Sequence, residues 1–568
     1  MAALELITEN IDLWTSAIRV KPTQGRGSNK KLELYGIKKL RELILELAVR
    51  GKLVPQDPND EPASVLLEQI AADKARWAKE KNIKIPRKLA EISDGEKPFE
   101  LPNGWSWARF GEIFDIEYGD NLPEVKRSNT GEYPVYGSNG VVGSHEKCSV
   151  SQPCIVIGRK GSAGALNLCL NEGCWVTDVA YSLVPPSGLD LNFTFKLLHT
   201  LGLENLGKGI KPGLSRNEAN ILLICVPPIE EQYRIDEKVD ELLALCDQLE
   251  KQTEVSFEAH QLLVETLLEP LASAKDASEL RENWARLSEH FDTLITTDYA
   301  VEKLKQIILQ LAVMGKLVPQ DPNDEPASEL LKRIAAEKSQ LINDQKIKKQ
   351  KPLPEITDEE KPFSLPSGWV WSRIGESSLY SEYGISAKTF DTEDGIPVLK
   401  MGDIQSGKVV LGGQKKASID FKGISGLMLN HGDILYNRTN SAELVGKTGR
   451  YEGPDNHYSF ASYLIRIRCS ENNVCSEFLN LNMNSPLFRV TQVEPYLKQQ
   501  CGQANINGTI MKNMIVAIAP LSEQKRIVSK VNNLTILLEN LKFRLQASRN
   551  AQARLSEAIV DQFLLTHG

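Results

Sequence analysis

Two stretches of this chain are crowded with side chains able to grip a polyanion, and in both the runs are flanked by glycine. In the first, VKRSN brings Lys126 and Arg127, VYGSNG brings Tyr136, Ser138 and Asn139, and IGRKGS brings Arg159, Lys160 and Ser162. GKGIKPGLS adds Lys208 and Lys211. In the second stretch LKMGD carries Lys400, GQKKAS carries Lys415 and Lys416, and YNRTNSAELVGKTGR carries Arg438, Thr439, Asn440 and Lys447. Glycine lets a backbone come close to a phosphate, while Arg, Lys, Asn and Ser donate to phosphate oxygens and base edges. The chemistry this suggests is recognition of nucleic acid. Any one such loop taken alone reads better as a solvated turn; their occurrence in both stretches is what favours the nucleic-acid reading.

Catalytic patterns are missing by comparison. Gly446-Lys447-Thr448 ends like a phosphate-binding loop, but the first glycine of that motif would fall at Ser441. No GxGxxG opens a βαβ unit, and neither HExxH nor GxSxG occurs. Val184-Pro185-Pro186 and Val226-Pro227-Pro228 lack the flanking polar and aromatic residues of an amino-methyltransferase motif. Asp236 and Lys238 have a nuclease-like spacing but fall in a heptad helix, where they read as its solvated face. Cys148, Cys154, Cys169 and Cys174 lie close in sequence, with His145 beside them. They lack CxxC spacing, so they read as small apolar strand residues rather than zinc ligands.

The bulk properties set limits on the class. A composition 41% hydrophobic and 25% charged is that of a soluble globular protein. No apolar run approaches the roughly 20 residues that cross a bilayer. Nine cysteines without a spaced framework suggest reduced thiols in a cytoplasmic protein. The net charge of −8 is not that of an overtly basic nucleic-acid binder and leaves an acidic scaffold open, because a local basic surface is what matters.

The elements that must position the loops form a duplicated frame. GKLVPQDPNDEPAS occurs unchanged at Gly51–Ser64 and Gly315–Ser328, an offset of 264 residues. The same offset relates Leu40, Ile44 and Leu47 to Leu304, Ile308 and Leu311, at helical spacing, and EKPFELPNGWSWAR to EKPFSLPSGWVWSR. Beyond the inserts, PPIEEQ and APLSEQ lead into heptad helices. Ile235, Val239, Leu242, Cys246 and Leu249 form one seam, and Ile527, Val531, Leu534, Leu538, Leu541 and Leu545 the other, at an offset of 292. The difference between the two offsets makes the second insert 28 residues longer. The insert sequences do not resemble each other beyond their edges, though both read as mixed α/β segments in the same slot of the frame. Direct repeats related by a pseudo-two-fold axis predict that the two helices pack antiparallel.

Two unlike inserts, each opened by LPxGWxW and closed by an EQ-containing heptad helix, resemble the specificity subunit of a type I restriction–modification enzyme. The long duplicated block suggests the subgroup with long internal repeats, and YPVYGSNG and GRKGS resemble strings of its target-recognition domains. The fold class expected is α+β, with two mixed α/β target-recognition domains joined by two long antiparallel heptad helices. The segments are 1–103 (helical region), 104–227 (first target-recognition domain), 228–367 (central helix and repeat block), 368–519 (second domain) and 520–568 (C-terminal helix). The resemblance implies that each insert reads half of a split, asymmetric site on double-stranded DNA. It implies two modification subunits docked on the helical regions, and restriction subunits completing the enzyme. S-adenosylmethionine, ATP and magnesium would serve those partners, with no cofactor bound by this chain. A fused methyltransferase–specificity enzyme and a coiled-coil scaffold are the alternatives.

Overall fold

A computed structural model describes residues 7–21, 31–80, 89–128, 130–206, 213–274, 277–497, 499–500 and 503–566. The chain divides into two compact units, Met1–Ser256 with Ala547–Gly568, and Phe257–Gln546. Each unit contains one copy of the frame, one insert, the first part of one long helix and the last part of the other. Among the described residues no helix is long and apolar enough to cross a membrane.

The first unit runs α1 (Tyr35–Val49), α2 (Ala63–Glu80), β1 (Ser106–Arg109), β2 (Ile116–Tyr118), β3 (Tyr133–Gly137), β4 (Gly140–His145), β5 (Cys154–Gly158), β6 (Leu166–Cys169), β7 (Trp175–Val176), β8 (Ala180–Leu183), α3 (Leu191–Thr200), β9 (Leu223–Val226) and the start of α4 (Ile229–Ser273). The second runs α5 (Asp298–Val313), α6 (Ala327–Asn343), β10 (Val370–Arg373), β11 (Tyr380–Tyr383), β12 (Ile396–Leu399), β13 (Ile434–Asn437), β14 (Thr448–Arg450), β15 (Ser459–Phe460), β16 (Leu464–Arg468), α7 (Ser476–Met483), β17 (Ile515–Ile518) and α8 (Leu521–Thr566).

The repeated letters are explained by a polar knot made twice. In the first unit Glu231, at the start of α4, is buried and accepts from Trp105 Nε1 at 2.9 Å and Gln56 Nε2 at 3.1 Å. In the second, Glu523 accepts from Trp369 Nε1 at 3.0 Å and Gln320 Nε2 at 3.2 Å. Arg234 pairs with Asp60, and Arg526 with Asp324 at 2.7 Å. The neighbouring glutamine reaches into the insert: Gln232 Oε1 accepts from Asp190 N at 3.0 Å, and Gln524 Oε1 from Cys475 N at 2.9 Å. Burial raises the carboxyls of Glu231 and Glu523 above the ordinary glutamate value, which makes the donors facing them matter more. Gln56, Asp60, Gln320 and Asp324 of the duplicated block thus serve the interior of their own unit, while Asp57, Pro58 and Asn59, with Asp321, Pro322 and Asn323, form its exposed rim. Trp105→Phe and Trp369→Phe each leave a buried carboxylate short of a donor. Each should destabilise its own unit by about 1–3 kcal/mol in chemical denaturation; unchanged midpoints would show that the knot contributes nothing.

Antiparallel pairing of β1 with β9, Ser106 opposite Val226 and Arg109 opposite Leu223, ties the two ends of the first insert together. β10 and β17 do the same for the second, Val370 opposite Ile518. The inserts, whose sequences differ beyond their edges, share one topology. The first is built on the sheet β2-β8-β5-β6, and the second contains the matching order β11-β16-β13-β14, extended by two short strands. Beside these, β3 pairs parallel with β7, and β12 parallel with β15.

Ile235, Val239, Leu242 and Cys246 of the predicted seam are buried in the first unit, in one core with Val560 and Phe563 of α8. In the second unit Val264, Leu268 and Leu271 of α4 share a core with Ile527, Val531 and Leu538 of α8. Each unit therefore joins the start of one long helix to the end of the other.

Candidate nucleic-acid interface

One basic loop in each insert lies where a central strand of the sheet ends. β5 stops at Gly158 and is followed by Arg159, whose amide donates to Val179 O at 2.9 Å and whose carbonyl accepts from Leu214 N at 2.9 Å. With its backbone held at both ends, the side chain lies over Tyr118, guanidinium carbon to ring centre 5.0 Å, with Tyr181 at 5.9 Å. Arg216 approaches the Tyr118 ring as well, at 5.4 Å. The second insert repeats this from different letters. β13 stops at Asn437; Arg438 N donates to Tyr463 O at 3.1 Å, and Arg438 O accepts from Ile506 N at 2.9 Å. Its guanidinium lies 4.9 Å from the ring centre of Tyr383. Tyr118 and Tyr383 are both open to solvent, 56% and 43% exposed.

The sequence reading missed these tyrosines, though a signal was present. Glu-Tyr-Gly recurs at Glu117–Gly119 and Glu382–Gly384, at the edge of each sheet. A Cβ on Gly119 would lie 2.2 Å from Thr177 O, and one on Gly384 2.1 Å from Phe460 O, so the backbones meet there only because the residue is glycine. Arg216 and Asn505 were missed too. Asn505 Oδ1 accepts from Arg438 Nη2 at 3.2 Å and from Thr439 Oγ1 at 3.2 Å.

Of the residues singled out from sequence, the structure gathers some and separates others. The Arg159–Ser162 loop and the Ser138–Asn139 turn converge: a Cβ on Gly158 would strike Ser162 O at 2.0 Å and Ser138 O at 2.4 Å. Lys160 bridges to Gly213 in the same patch. Arg438, Thr439 and Asn440 are likewise one cluster, with Thr439 opposite Asn505 and Asn440 opposite Ala504. Lys447 donates its amide to Leu444 O at 3.3 Å in the turn that closes this loop. Gly446-Lys447-Thr448 leads into strand β14 rather than a helix, with the Thr448 hydroxyl donating to Asn480 Oδ1 at 2.8 Å.

Lys400, Lys415 and Lys416 stand apart, around β12. The Lys400 ammonium donates to Thr389 Oγ1 at 3.1 Å, and that of Lys416 to the carbonyl of Glu393. Lys126 ends a short helical turn, and Arg127 folds back onto Leu122 O at 3.0 and 3.2 Å. Tyr136 is a correction. Only 7% exposed, it faces an interior cluster with Cys154, Val156 and Val176, which removes its ring from any DNA-facing surface. Lys208 and Lys211 lie outside the described residues.

The arrangement offers each insert a flat, solvent-facing aromatic platform carrying a planar cation. An arginine held over a ring keeps free N–H groups for bidentate donation to a base edge or phosphate.

A family model described as "Type I restriction modification DNA specificity domain" matches residues 102–258 and 366–547. The chain is 39% identical to the type I restriction enzyme EcoAI specificity subunit of Escherichia coli, over 99% of each chain. It is 38% identical to the EcoEI specificity subunit of the same species, over 99% of this chain and 100% of that one. Among solved structures, the HsdS subunit from Thermoanaerobacter tengcongensis is 18% identical, covering 82% of this chain and 97% of that chain at a TM-score of 0.36. The family match spans both inserts with the strands and heptad helices that frame them, and the identity runs end to end: the chain belongs to the specificity subunits of type I restriction–modification enzymes.

Proposed function

We propose that this chain is the non-catalytic DNA-reading subunit of its complex, each insert reading one half of an asymmetric, split target on double-stranded DNA. The observation that carries the reading is the Arg-on-Tyr platform made at the same place on the same topology in both inserts, Arg159 on Tyr118 and Arg438 on Tyr383. The surrounding side chains differ, Arg216 and Lys160 in one and Asn505, Thr439 and Asn440 in the other. A common platform with different neighbours suits two readers of different bases.

α4 and α8 act in this proposal as an antiparallel spacer. What supports it is a crossed pattern of contacts. Tyr35 of the first frame copy bonds Glu557 near the end of α8, whereas its equivalent Tyr299 bonds Glu265 in the later part of α4. Those tyrosines are 264 residues apart and those glutamates 292, the two offsets of the duplication. The Asp60–Arg234 and Asp324–Arg526 pairs, by contrast, join each frame copy to the start of the helix that follows it. Each copy thus holds the beginning of one helix and the end of the other.

Two modification subunits dock on the two copies of the frame, because identical faces suit identical partners. Restriction subunits complete the assembly in the cytoplasm. S-adenosylmethionine, ATP and magnesium belong to those partners.

The experiment is exchange of residues 369–519 for the matching insert of a relative, followed by mapping of methylated bases in cells holding the whole system. One half of the methylated sequence should change and the other survive in base and strand. Recruitment of modification subunits should persist, since the frame is untouched. Simultaneous change of both halves would overturn the modular reading.

A further inference from the structure

Three of the cysteines that lack metal-ligand spacing in sequence are brought together by the first insert. Cys154 on β5 and Cys169 on β6 are direct cross-strand partners, so their side chains share one face of the sheet. Cys174, just before β7, is held by Val150, whose amide donates to Cys174 O at 3.0 Å and whose carbonyl accepts from Cys174 N at 2.9 Å. All three are fully buried. Their sulfurs lie within 4.8 Å of one another, with Cys154 and Cys174 Sγ 3.6 Å apart. Among the described residues this is the only group of three or more His, Cys, Asp or Glu side chains so placed. His145 turns away and stacks edge-on against Trp175 at 5.2 Å, and Cys148 stays half-buried outside the trio.

We propose that Cys154, Cys169 and Cys174 form a three-thiolate site for one thiophilic metal ion of the zinc, cadmium or copper(I) class. A metal–sulfur bond of about 2.3 Å places sulfurs about 3.8 Å apart in a tetrahedral site and about 4.0 Å apart in a trigonal one. The spacing here needs little adjustment to reach either. The walls are Val156, Val176, Ala180 and Tyr136, so hard oxygen-seeking ions find no ligands, while soft thiolates select soft metals. The Tyr136 hydroxyl donates to Leu168 O at 3.5 Å, the residue next to Cys169. Binding forms three metal–sulfur bonds and releases the three thiol protons to solvent.

Such an ion ties β5 and β6 of the four-stranded sheet to β7 of the three-stranded one. That fixes the β3–β4 turn, with Ser138 and Asn139, against the Arg159 loop.

The test equilibrates the purified full-length chain with zinc, cadmium or copper(I), measures metal per chain, and counts thiolate ligands by cadmium–sulfur charge-transfer absorbance. One equivalent with three thiolates and three protons released is expected. Cys154→Ser, Cys169→Ser and Cys174→Ser should each lose stoichiometric binding, and Cys148→Ser should keep it. Should a serine variant fail to fold, the wild-type titration still decides the matter. A folded wild-type chain that takes up none of the three ions, loss of binding in Cys148→Ser alone, or two thiols lost to a disulfide with no metal bound would each overturn the proposal.

Discussion

Replacing Arg159 or Arg438 by alanine weakens specific DNA binding by the assembled complex about 5- to 150-fold, with a much smaller loss on unrelated DNA. A lost bidentate base contact costs about 1–3 kcal/mol, and each 1.4 kcal/mol is a factor of ten. The folded inserts should tolerate the change. Each side chain lies on an exposed tyrosine, and the strand ends are anchored by backbone hydrogen bonds, so Arg438→Ala gives up only its side-chain donations to Asn505 Oδ1 and Ser462 O. Lysine is the sharper substitution: it keeps the charge and loses the planar fork and the stacking. Arg159→Lys and Arg438→Lys should therefore retain affinity for unrelated DNA and lose discrimination at the half-site read by the substituted insert. The measurement is competitive binding of target and scrambled duplexes at one fixed salt concentration. Equal losses on both duplexes would reassign these arginines to phosphates.

Why some of this was legible in the sequence and some not follows from where the constraints come from. The frame was legible because its polar knot depends on particular atoms. A buried Glu231 needs the Trp105 indole N–H and the Gln56 amide, so the same letters stand at Glu523, Trp369 and Gln320. The heptad seams were legible because a helix repeats its buried face locally. The common topology of the inserts was not. Strand order is made by distant pairings such as Ile434 with Ile467, which any apolar residue can satisfy, and Glu-Tyr-Gly is a shared string that falls at the matching sheet edge in both inserts.

The same logic separates the site residues. Arg159 and Arg438 stood out because their loops carry glycine and polar donors. Tyr136 stood out for the same reason, yet the face it takes on β3 turns it toward Cys154 and Val156. No local pattern distinguishes a tyrosine beside a loop from a tyrosine beneath one. The cysteine trio was illegible for a related reason: its spacing is set by the β5–β6 register, not by the number of residues along the chain.

Lengthening both long helices by one heptad changes the distance between the half-sites while leaving the bases in each half as they were. The insertions belong between Ser256 and Phe257 in α4 and between Gln546 and Ala547 in α8, where the chain passes from one compact unit to the other. Both are needed. In the first unit Ile235 to Cys246 of α4 share a core with Val560 and Phe563 of α8, and in the second Val264 to Leu271 share one with Ile527 to Leu538. A single insertion would slide one helix against the other and break one of these cores. Seven residues keep every apolar position on its own face and add about 10 Å of helix. At 3.4 Å per base pair that is about three base pairs, over which the duplex itself turns by about 100° at about 10.5 base pairs per turn, so the original second half-site no longer meets its reader. Methylation of the original target should fall on the order of 10³-fold or more, toward the level of unspecific DNA. A new target with the same two halves and a longer gap should appear in its place. Mapping methylated bases in cells carrying the lengthened chain reads both outcomes at once. An unchanged gap, or altered bases across an unchanged gap, would mean that the helices hold the readers without setting their spacing.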